Sequence, residues 1–207
     1  MQKISDQSVL TRLLDWLYDR AIKGVPGFDS AVEMSEEYAA GTGSLADRAD
    51  SLIRWQVAKA GTSGFLSGLG GVLTLPVAVP ANITSVMYVQ LRMIAAIAHL
   101  GGHDVKSDRV RTLAYACLCG NAAKDVLKEV GVSMGTKLTT AAIERLSFET
   151  IKAINRAVGF RLVTKFGETG VINLGRAVPI VGGIIGGSFD SVTTNTVGNI
   201  ARDTFIH

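Results

Sequence analysis

Charge is scarce in this chain. Asp, Glu, Lys and Arg supply 19 % of its 207 residues, against about a quarter in ordinary globular domains. Proline is rare at 4 residues, aromatic side chains reach 6 %, and there are 2 cysteines. The cysteines, Cys117 and Cys119 in "YACLCGN", exclude a disulfide scaffold. One residue apart on a helix, their thiols point to different faces, and free buried thiols fit a reducing compartment. The opening "MQKISDQSVLTRLLDWLYDR" has acids throughout and no apolar core, so it does not read as a signal peptide, and an intracellular protein is expected. A net charge of +3 is too mild to imply nucleic acid or an acidic substrate as partner. What the chain does have is 23 glycines and a mean hydropathy of +0.30. Low charge with many glycines leans towards membrane contact or very tight helix packing. The length suits one domain with a sizeable core.

The longest gap in charge lies between Lys59 and Arg92 and includes all of Gly61–Leu91. Pro76 and Pro80 interrupt it, and proline removes a backbone donor and clashes with the preceding turn, so one unbroken spanning helix is not expected. The pattern predicts a hairpin over 61–100: a glycine-rich first arm, a bend at Leu75–Pro80, and a second arm from Ala81 to about Leu100. That arm is apolar nearly all round, with Ile83, Val86, Val89, Met93, Ile94 and Ile97. Ser85, Arg92 and His99 fall seven residues apart and form one narrow polar seam with Tyr88 beside it, and Gln90 is counted with its polar residues. Such a helix sits at the centre of a bundle or within a membrane assembly. Arg92 then needs an acidic partner to offset desolvation. Asp190 is the candidate, as the only charge between Arg176 and Arg202. Asn195 is expected to continue the seam from the facing helix.

Elsewhere helical periodicity dominates. Val9, Leu10, Leu13, Leu14, Leu17 and Ile22 mark an amphipathic helix stopped at Gly24 and Pro26. "FDSAVEMSEEYAAG" reads as a second helix. Ser44 with Asp47 three residues on opens a third through a capping box. Residues 1–60 thus form a wetter coat. Over 101–170 one helix is expected from Arg109 to Gly131, others around Lys137–Leu146 and Phe148–Lys165, and a turn at "FGETG". Residues 171–207 hold a glycine-rich final helix. Strand-like alternation is almost lacking, so the fold class is all-α: a multi-helix bundle with a central glycine-rich apolar hairpin. Gly182, Gly183, Gly186 and Gly187 form small-xxx-small patterns that let helices approach closely, within the chain or between copies. Lys152, Arg156, Arg161 and Lys165 occur with no acid between Glu149 and Glu168. With Ile151, Ile154, Val158 and Leu162 on an apolar side, they mark a basic amphipathic helix suited to anionic lipid.

Catalysis finds no positive support. His99, His103 and Asp104 lie close in "HLGGHD", but the intervening glycines end the helix and no third ligand or H-E-x-x-H motif follows. "GVSMGTKLT" lacks phosphate-loop spacing, no G-x-S-x-G elbow occurs, and neither cysteine has an activating base beside it. No metal, cofactor or catalytic residue is assigned.

"WQVAKAGTSGFLSGLGGVLTLPVAVPANITSVMYVQLRMIAAIAHLGGHD" and "GVINLGRAVPIVGGIIGGSFDSVTTNTVGNIARDTF" resemble the two signature regions of EcsC-family proteins. The specific parts are the glycine-rich arm, the proline bend, Gln90-x-Arg92 and the P-x-V-G-G-x-x-G-G run. The resemblance implies a bacterial helical protein whose namesake is encoded beside an ABC exporter, and it brings no catalytic residues. The expected function is non-catalytic association with the cytoplasmic face of the inner membrane, on lipid or on an integral partner such as an ABC transporter. Two alternatives stay open: a switch that inserts its apolar hairpin, and a soluble enzyme or lipid-pocket protein.

Overall fold

The computed structural model describes the backbone of residues 2–60, 81–132, 139–174 and 182–207, and the side-chain surroundings of 10–59, 84–132, 139–162 and 191–207. Among these residues there is no strand, only an isolated bridge between Val25 and Phe28. Helix α1 (Gln2–Lys23) buries Leu13, Leu14, Leu17 and Tyr18 and ends at Gly24, whose φ of 77° is one that glycine adopts without strain. Helix α2 (Ala31–Ala39) opens with a reciprocal cap: Glu33 N donates to Ser30 Oγ at 3.1 Å and Ser30 N to Glu33 Oε2 at 2.8 Å. The cap expected for α3 (Leu45–Ala60) forms the same way, with Asp47 N donating to Ser44 Oγ at 3.2 Å and Ser44 N to Asp47 Oδ2 at 2.9 Å. Each such box satisfies two donors a helix start leaves unpaired.

Helix α4 (Ala81–Leu100) matches the expected second arm of the hairpin. The first arm lies outside the described residues. Two expectations are corrected further on. The single helix over 109–131 is two, α5 (Asp108–Leu118) and α6 (Ala123–Glu129), parted by a 3-10 turn at Gly120–Ala122. Gly120 has φ of 60°, which breaks the α-helical path there. "FGETG" is not a turn but part of α8 (Phe148–Leu174). Two glycines without a proline weaken a helix by about 1 kcal/mol each and do not end it. Between them α7 (Thr140–Glu144) is shorter than expected, and α9 (Gly182–Phe205) closes the set.

Helix α4 is the axis of the bundle. It packs against α1, α2, α3, α5 and α9, and every residue from Met87 to Ala98 is buried. Helix α4 is thus enclosed by other helices of the chain. Burying side chains such as Leu91, Met93, Ile94 and Ile97 stabilises by about 1.5–3 kcal/mol each. Helix α9 crosses α4 and α3 at Gly198, where an added Cβ would stand 2.9 Å from Ile53 and 3.2 Å from Met93 Cε.

Contacts along these three helices fix their directions. Asp50 meets Arg202, Ile53 meets Gly198 and the Val57 carbonyl meets Ser191 Oγ at 3.4 Å, so α3 and α9 are antiparallel. Gln90 meets Thr194 and Gly101 meets Phe205, so α4 and α9 are parallel. The end of α3, the start of α4 and the start of α9 therefore share one end of the bundle. In sequence, residues 61–80 join the first two of these ends and residues 175–181 precede the third.

Candidate functional site

The buried polar seam is built around Arg92, which is 2 % exposed. Its Nη1 donates to the Asp29 carbonyl at 3.0 Å and its Nη2 to Gln56 Oε1 at 3.3 Å. Gln56 Nε2 in turn donates to Met34 Sδ at 3.1 Å. The guanidinium lies 5.8 Å from the Phe28 ring and 5.9 Å from that of Tyr88, close enough for cation–π attraction. Burial pulls the Arg92 pKa down, while Tyr88 and Asp29 pull it back up. Burial raises the Tyr88 pKa against the opposing charge of Arg92. Arg92 Nε and Tyr88 Oη are buried without a hydrogen-bond partner among the described residues. The side chain of Asp190, the expected partner, lies outside those residues. Arg92 thus ties α4 to α3 through the Gln56 amide and to the loop before α2 through the Asp29 carbonyl and the Phe28 ring.

His99 faces the same neighbours, with Nδ1 at 3.2 Å from Ser35 Oγ. Ser85 is buried as well. Gln90 points elsewhere, donating to Thr194 Oγ1 at 3.2 Å and Thr193 Oγ1 at 3.4 Å on α9. Asn195 is exposed and does not continue the seam; Thr194, one residue earlier and 100° round the helix, takes that position. Sequence periodicity carried the Arg92–His99 face but not the choice between Thr194 and Asn195.

The basic segment is rearranged relative to expectation. On α8 the apolar residues Ile154, Val158 and Leu162 are buried in the core, so this side is not free to meet lipid. Arg161 is held by Glu129 at 2.8 Å. Lys152 and Arg156 are exposed, and Lys152 Nζ stands 4.3 Å from the centroid of Phe148. Phe148 and Phe160 are 63 % and 61 % exposed. Neither phenylalanine was singled out from sequence, although both lie at multiples of four residues from Lys152 and Arg156. The side chain of Lys165 lies outside the described residues, as do the surroundings of Gly182, Gly183, Gly186 and Gly187.

The shared end of α3, α4 and α9 carries its own exposed apolar groups. Trp55 is 55 % exposed, with Lys59 Nζ 5.2 Å from its ring, and Val192 is 66 % exposed. Both stand within two residues of the Val57–Ser191 contact. Among the described residues no helix is long and apolar enough to cross a membrane.

Cys117 and His103 are both held inside the core. Cys117 is buried, its Sγ 3.8 Å from Thr204 Oγ1, and burial pushes its thiol up to about 12. Among the described residues no three His, Cys, Asp or Glu side chains are grouped to hold a metal ion. His103 is buried with Nε2 3.0 Å from the Phe205 carbonyl. Its neutral ring donates there and leaves Nδ1 buried without a partner among the described residues.

Burial holds the His103 pKa below its ordinary value, opposed by the Phe205 bond and aided by nearby His207. The unfolded chain therefore takes up this proton at a pH where the native one does not. Stability from this site is present above about pH 6.5 and is lost as pH falls through the lower native value. Urea midpoints measured from pH 8 to 5 are expected to fall, and His103→Gln, which keeps a donor, is expected to flatten that dependence.

No curated protein and no solved structure matches the chain. A family model does, over residues 29–206, and on that match the chain belongs to the EcsC protein family.

Proposed function

We propose that the protein associates with the cytoplasmic face of the inner membrane without catalysing a reaction, docking on lipid or on helices of an integral partner such as an ABC transporter. The observation that carries this reading is the meeting of α3, α4 and α9 at one end. The uncharged segment 61–80 begins and ends there, and the glycine-rich start of α9 lies there too. Trp55 beside Lys59 adds an aromatic–cation pair of the sort that settles at headgroup level. Gly182, Gly183, Gly186 and Gly187 offer partner helices, or a second copy, a close approach. The same burial favours docking over insertion: drawing the 61–100 hairpin into lipid would first strip α4 from five neighbouring helices.

Trp55 reports on this contact. With Trp16→Phe it becomes the sole tryptophan, since the chain has 2. On adding phosphatidylcholine–phosphatidylglycerol vesicles its emission is expected to shift to the blue and to be quenched by brominated lipid. Pelleting with vesicles while the Trp55 spectrum stays unchanged would remove this end of the bundle from the contact. Absence of pelleting with either neutral or anionic vesicles would leave only an integral partner.

A further inference from the structure

We infer that the outer ridge of α8 binds the headgroups of an anionic phospholipid bilayer. Phe148, Lys152, Arg156 and Phe160 follow one another at four-residue steps, and all four are exposed. Each step turns the helix by about 40°, so the four form one continuous ridge, about 18 Å from end to end. The opposite side of α8 is sealed by Ile154, Val158 and Leu162. The helix therefore does not lie in lipid on an apolar flank of its own. It presents a ridge with a cation pair in the middle and a large ring at each end.

The chemistry of the ridge selects its occupant. Two cations about 6 Å apart along the axis call for a dense layer of negative charge. Rings at both ends call for a surface that accepts apolar groups at shallow depth. Anionic headgroups over acyl chains supply both. Arg161 takes no part: five residues beyond Arg156, it lies about 140° round the helix from it, off the ridge, and pairs with Glu129. The inference rests on the membrane reading above but uses different residues, so the two fail separately.

The test is partition of the full chain onto vesicles of phosphatidylcholine alone and with phosphatidylserine, at low and high salt. Preference for the anionic vesicles, weakened by salt, is expected. Lys152→Gln with Arg156→Gln is expected to weaken partition by about 30-fold, two charges' worth of attraction. Phe148→Ser with Phe160→Ser is expected to weaken it at both salt levels. Lys124→Gln with Lys128→Gln removes the same charge from exposed positions on α6 and is expected to change little. All these sites are exposed, and an unchanged circular dichroism spectrum and melting temperature would certify folding. An equal loss in the α6 variant would reduce the effect to net charge and overturn the inference. Unaltered vesicle binding in both α8 variants would assign the ridge to a protein partner and overturn it too, leaving the membrane reading intact. Failure of the unaltered chain to bind any vesicle would overturn the inference and remove lipid from the proposed function.

Discussion

Arg92→Ala is expected to lower the unfolding free energy by about 3–5 kcal/mol, read as a shift of the urea midpoint at constant slope. The substitution withdraws the donors of the Asp29 carbonyl and Gln56 Oε1 and leaves a gap between the Phe28 and Tyr88 rings. Each polar group left without a partner in a buried setting costs about 1–3 kcal/mol, and the gap adds to that. Arg92→Met keeps most of the volume and should recover about half the loss. Arg92→Lys should fare little better than Met, because one ammonium cannot reach the carbonyl and the amide with the fixed geometry of a guanidinium. If the side chain instead reached water, all three variants would fall within about 0.5 kcal/mol of the parent.

Gly101→Ala is the second large effect, expected to destabilise by about 2–3 kcal/mol. A Cβ built there runs into the backbone carbonyl of Phe205, which has no rotamer by which to withdraw. The same carbonyl accepts from His103 Nε2, so the end of α9 must lift from the turn after α4. Two comparisons isolate the cause. Gly102→Ala meets open space, and its φ of 80° makes its strain purely local, at about 1 kcal/mol. Gly198→Ala meets the stiff Ile53 side chain at 2.9 Å and the flexible end of Met93 at 3.2 Å, side chains and not backbone, and should cost less than Gly101→Ala. Thermal unfolding of the three variants orders them; equal losses would refute the argument from backbone contact.

Much of the fold was legible because helices announce themselves locally. The Ser44–Asp47 cap and the bounds of α4 followed from short-range rules. The break at Gly120 and the continuity of α8 through "FGETG" did not. A lone glycine either bends a chain or sits quietly in a helix, and surrounding packing decides which. The candidate site divides the same way. Spacing of seven residues put Arg92 and His99 on one face; Arg92 reaches the loop before α2 and His99 reaches α2 itself. Which groups receive them depends on tertiary placement, so Asp29, Gln56 and Ser35 were invisible beforehand. The basic helix was legible as basic. Its orientation was not, because the aliphatic residues Ile151, Ile154, Val158 and Leu162 drew notice away from Phe148 and Phe160, the two rings that end on the outside.

The arrangement of α3 and α4 has a mechanical side. They are antiparallel neighbours whose ends open at the same place, joined by residues 61–80. Any tension on that connecting stretch loads both helices along their axes. Side-chain contacts running the length of α4 then resist in shear, together, instead of peeling one by one as they would under a sideways pull. Force applied at this end is therefore shared among those contacts and not taken by them one at a time.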